Sequence, residues 1–90
     1  MASIEVPKGE VTKVATNVTA GFIYNLTPDI QMMGISVDTG DTAPTADEIA
    51  DEAHLVFYSD KIEEEVIDED GVDIYLFSPY KDGKVSVKVQ

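Results

Sequence analysis

The chain has 90 residues, of which 18 are acidic and six basic, giving a net charge of -12 at pH 7; 43% are hydrophobic and none is cysteine. Ninety residues make one domain with a thin core, the missing cysteines exclude disulfides, and a single histidine excludes a Cys/His metal site. The charge repels phosphate and anionic lipid, and no apolar run approaches the roughly 20 residues that span a bilayer, so neither nucleic acid nor membrane is expected as a partner.

The opening residues have no basic n-region and no apolar h-region, which points to synthesis and folding in a bacterial-type cytoplasm. Residues 1–9 read as an extended arm ended by Pro7 and Gly9, and residues 10–90 as a single β domain. Glu10 to Thr16 fits a first strand with mixed polar and apolar positions. Gly21 to Leu26 fits a second, apolar on both faces, which Thr27-Pro28-Asp29 closes as a turn. Gln31 to Asp38 is a further strand, and Gly34 inside it marks a bulge or a close backbone approach.

Thr45-Ala46-Asp47-Glu48 fits a capping box, so residues 45–53 read equally as two helical turns or as a solvated acidic loop. His54 to Ser59 returns to strand. Lys61 to Ile67 is a weaker, strongly charged one, and Asp68-Glu69-Asp70-Gly71 is a turn of the kind that joins hairpin strands. Val72 to Phe77 has the pattern of a buried strand. In Lys84 to Gln90, Val85, Val87 and Val89 alternate inward against polar neighbours. The predicted fold is all-β, a small antiparallel β-sandwich or barrel of about seven or eight short strands, with at most one short helix near 45–53.

Fourteen of the acidic residues fall between Asp38 and Asp73, where Lys61 is the only formal positive charge. Aligning Gly71 with the glycine of an EF-hand loop would put Val66 and Phe77 at essential ligand positions, which excludes that motif. A looser calcium site on Asp68, Asp70 and Asp73 competes with the simpler reading of a solvated acidic hairpin. Paired-carboxylate glycoside hydrolysis needs a cleft that this length hardly supplies. His54 beside Ser59 or Asp60 could serve as a general base, but a lone histidine heading an apolar strand is more often structural. The seven aromatic rings lie where the alternation places a core, and a base-stacking platform would need a basic groove beside them. No catalytic residue, metal ligand or cofactor is expected.

The segments Thr12 to Pro28, Met33 to Asp38 and Thr42-Ala43-Pro44-Thr45, then the aromatic strand Asp73 to Phe77 and the closing Gly83 to Val87, form a recognisable layout. It resembles that of small virion proteins of tailed bacteriophages, of the capsid decoration (cement) or head accessory type. The chain departs from it in the charge of 63–70 and in having no tryptophan on the aromatic strand. The resemblance implies a non-enzymatic structural protein, made in the host cytoplasm, that binds the outer surface of a phage head and stabilises capsomer contacts. Its partners would be the major capsid protein or other virion proteins, and it would form a homo-oligomer, for which a trimer is attractive. On that reading Ile4, Val6 and Pro7 of the arm anchor the shell contact. A neck, tail or fibre component is the alternative within the same class. An acidic DNA-mimic inhibitor and a calcium- or carbohydrate-binding module are the alternatives outside it.

Overall fold

Alternating β-branched and aromatic residues put most of the chain into strands. The computed structural model describes residues 3–27, 30–57 and 63–90. Along the chain run β1 (Ile4–Val6), β2 (Val11–Asn25), β3 (Met32–Asp38), α1 (Ala46–Glu52), β4 (Leu55–Phe57), β5 (Glu63–Phe77) and β6 (Gly83–Val89). They form one antiparallel sheet in the order β1-β6-β2-β5-β3-β4, curled into a half-barrel. The all-β class is as the sequence predicts, and one short helix forms among the described residues.

The strands are fewer and longer than the sequence punctuation implies. Glu10 to Thr16 and Gly21 to Leu26 merge into β2, and the charged strand and Val72 to Phe77 merge into β5; each is 15 residues long. The expected hairpin turn at Asp68 to Gly71 is instead a large bulge. On one side of it Ile67 pairs with Ala20, on the other Val72 pairs with Val18, so both parts of β5 run along the same neighbour in the same direction. Two left-handed residues absorb the mismatch, Asn17 at φ 53° and Gly71 at φ 83°. A side chain on Gly71 would meet the tip of the Asn17 carboxamide, and the left-handed φ favours glycine there whatever the space.

The bulges divide the sheet into two halves that share β2 and β5, the usual way for long strands to turn a corner. In one half β3 pairs with β5 over Val72 to Phe77 and β4 pairs with β3. In the other β6 pairs with β2 over Gly21 to Asn25 and β1 pairs with β6. The inner faces enclose the main core, in which Val6, Ile23, Met32, Phe57, Leu76 and Val85 are fully buried. Gly34 is a close approach and not a bulge. Its register is regular, and a Cβ there would meet the Leu76 and Leu55 side chains.

On the outer face of the first half a second cluster forms from Ile35, Tyr75 and Ile49, with Val11, Met33 and Phe77 packed against it. Helix α1 covers this cluster. Thr45 and Glu48 cap it reciprocally, the Thr45 hydroxyl accepting from the Glu48 N–H at 3.2 Å while the Glu48 carboxylate accepts from the Thr45 N–H. Between helix and acidic loop, the helix is therefore what forms. It has one buried residue, Ile49, which is enough to dock a two-turn helix of otherwise exposed carboxylates.

Candidate interaction surface

The expected anchors are part of the fold. Val6 has no exposed surface and sits in the main core, Ile4 packs against that core, and both pair with β6, Ile4 opposite Val85 and Val6 opposite Gly83. Pro7 is half-buried and, with Glu5, Thr27, Asp82, Gly83 and Lys84, lines a shallow cavity of about 220 Å³. Residues Ile4–Val6 of the expected extended arm form an edge strand: an alternating Ile-Glu-Val beside an open β6 edge gains main-chain bonds and apolar burial by staying docked. Of the arm, Met1 and Ala2 lie outside the described residues.

Asp73 is an extensively engaged ionisable group. Its side chain is 3% exposed, yet it accepts from the Asn17 N–H at 2.9 Å, the Thr39 hydroxyl at 3.1 Å and the Gly40 N–H at 3.5 Å, and pairs with the Lys13 ammonium at 3.4 Å. The hydrogen bond from the Asn17 amide lowers its pKa below the usual value, with Thr39, Gly40 and Lys13 adding to this and burial opposing it. Asp73 and then Tyr75 raise the pKa of Lys13, whose ammonium stands 5.7 Å from the Tyr75 ring centroid. Lys13 and Asp73 form an ion pair between β2 and β5, and through Asn17, Thr39 and Gly40 the same carboxylate ties the β2 bulge to the β3–α1 turn.

This also separates the residues of the candidate calcium site. Asp73 points its oxygens at these donors, while Asp68 accepts from the Asp70 N–H at 3.0 Å. Among the described residues no three carboxylates gather as metal ligands. His54 meets Ser36, whose hydroxyl lies 2.8 Å from its Nε2, and the His54 N–H donates to the Gly34 carbonyl. Ser59 and Asp60, its expected partners, lie outside the described residues, as do Pro28 and Asp29 of the expected turn, Tyr58, and Lys61 at the head of the charged strand. Among the described residues no carboxylate orients the His54 ring, and the contact fastens the end of α1 to β3.

The aromatic residues divide. Phe57 and Tyr75 are buried as the alternation predicts, but Phe22 and Tyr24 are only half-buried and Tyr80 is exposed. Phe22 and Tyr24 stack on each other, centroids 6.2 Å apart, on the outer face of the second half, where no helix lies among the described residues. Since paired residues of an antiparallel sheet share a face, this face can be read from the register. Ala20, Phe22 and Tyr24 run along the middle strand, and Leu26, 48% exposed, extends the row. On the β5 side Tyr24 faces Glu63, Phe22 faces Glu65, and Ala20 faces Ile67, which is 71% exposed. On the β6 side Phe22 faces Lys88, and the Leu26 N–H donates to the carbonyl of exposed Lys84.

The result is an apolar stripe with Glu63 and Glu65 along its β5 side; along its β6 side Lys88 stands beside Phe22, the buried Ser86 beside Tyr24, and Lys84, which faces Glu5 of β1, beside Leu26. The sequence signal for it is the apolarity of Gly21 to Leu26 on both faces. One face belongs to the core, and over the other no helix lies among the described residues. The chain matches no family model, no curated protein and no solved structure.

Proposed function

We propose that this chain is a non-enzymatic structural protein of a tailed-phage particle, a decoration protein that adds to the outer surface of the head and stabilises contacts between capsomers. On this reading it is made in the host cytoplasm, resides on the capsid surface, and has the major capsid protein as partner. The observation that supports the reading best is the uncovered stripe of the second half. A chain that caps one outer face with its own helix and leaves the other apolar and charge-bordered has a surface suited to covering by protein. The exposed carboxylates of α1 and the preceding loop, Asp38 to Glu52, would keep crowded copies soluble and favour contact with a basic patch.

The test is the copy number of the chain in purified particles, weighed against the major capsid protein by quantitative mass spectrometry. Hundreds of copies per head are expected. About a dozen or fewer would move the chain to the neck or tail, and absence from particles would overturn the structural role and bring the acidic inhibitor forward.

A further inference from the structure

We infer that the uncovered stripe is occupied by a second copy of this chain, in a two-fold pair with the dyad parallel to β2. The inference rests on reading the stripe as a protein-docking surface and does not depend on the phage role. The order of the three strands carries it. In the Phe22 row a carboxylate stands on β5 (Glu65), a ring on β2 and an ammonium group on β6 (Lys88), while in the Tyr24 row Glu63 on β5 lies across the ring from Ser86 on β6.

A two-fold interface must be complementary to itself. Turning a copy by half a revolution about an axis along β2 lays each ring over its own equivalent and brings β5 over the partner's β6. Glu65 then faces Lys88 of the second copy, and the reciprocal pair forms on the other side. A dyad across the strands would instead set carboxylates against carboxylates. Within one chain Glu65 and Lys88 flank Phe22 on opposite sides, two strand spacings apart, about 10 Å, too far to pair directly.

The net charge of -12 does not forbid this pairing. Each Glu65 is met by a Lys88, Lys84 has Glu5 of its own β1 opposite it, and the acids of α1 and its loop lie on the other half. At physiological ionic strength charges more than about 8 Å apart are largely screened, so the distant repulsion weakens more than the contacts do. Three strands and four same-face rows cover roughly 400 Å² per copy by strand geometry, below the ~800 Å² of stable complexes, so the pair forms only at micromolar concentrations or higher.

Sedimentation equilibrium of the full chain at about 150 mM salt, up to several hundred micromolar, tests this. The mass is expected to move from 9.8 kDa toward twice that value with concentration. Phe22→Asp should keep the chain monomeric. Glu65→Lys and Lys88→Glu, both at exposed positions, should each raise the dissociation constant at least about tenfold. The double exchange, Glu65→Lys with Lys88→Glu, should restore it to within about threefold of the native value, since each new lysine again meets a new glutamate. Circular dichroism confirms that each variant is folded. A native chain that stays monomeric throughout overturns the inference, and so does a folded double exchange as weak as either single one. A monomer that still coats heads would sink the pair and spare the decoration role, while a dimer absent from particles would do the reverse.

Discussion

Asp73 shows how one residue can hold three separate segments. A carboxylate in the middle of a strand, nearly without exposed surface, would be costly alone. Here two backbone N–H groups, a hydroxyl and an ammonium meet it. Asn17 can hold its left-handed conformation partly because its N–H has this acceptor, and Gly71 leaves room for its side chain. Asp73→Asn keeps the shape but loses the charge, so the variant should be less stable than the native chain at neutral pH. The folded pKa lies below the ordinary 3.8, so the carboxylate's contribution is present above that value and lost as pH falls through the folded pKa. Urea melts from pH 7 to about pH 2 should therefore show the gap between native and variant at its widest above about pH 5, closing in acid. A gap constant over the whole range would show that the ionised form of Asp73 contributes nothing.

At the scale of elements, β1 and α1 do the same work at different places: each lays a short segment over an exposed part of the sheet and contributes one fully buried residue, Val6 or Ile49. Their legibility in the sequence differed. The capping box announces α1, because Thr45 and Glu48 satisfy each other locally. Nothing local announces the docking of β1, since its partner residues, Gly83 to Val85, lie at the other end of the chain. Val6→Ala should cost about 2 kcal/mol in chemical denaturation, from lost burial and the cavity left in the core. Removing residues 1–6 should cost more. If the shortened chain kept full native stability, β1 would be an adherent tail and the free-arm attachment model would return.

For the whole molecule, charge and topology set the limits. With eighteen carboxylates and six lysines, the folded state concentrates like charge, so the melting temperature should rise as salt goes from about 10 mM to about 500 mM and the screening length falls from ~30 Å to a few ångströms. A melting temperature that falls over this range would mean that the few favourable pairs outweigh the general repulsion. The sequence by itself determined the all-β class, the buried strand Val72 to Phe77 and the polarity of the charge, because period-two alternation and composition are local properties, and it offered the capped helix only on equal terms with a loop. The tertiary structure alone decided that the breaks near Asn17 and Gly71 are bulges within two long strands. A left-handed residue in a turn and one in a bulge look alike until the pairing partner is known. Pairing also decided the stripe. Gly21 to Leu26 is apolar on both sides in the sequence, but only the arrangement of β5, β2 and β6 shows that one side closes over the core while the other, among the described residues, carries no helix and is flanked by Glu63 and Glu65 on β5 and by Lys88 on β6. Distant strands meet through long-range contacts that no local pattern encodes.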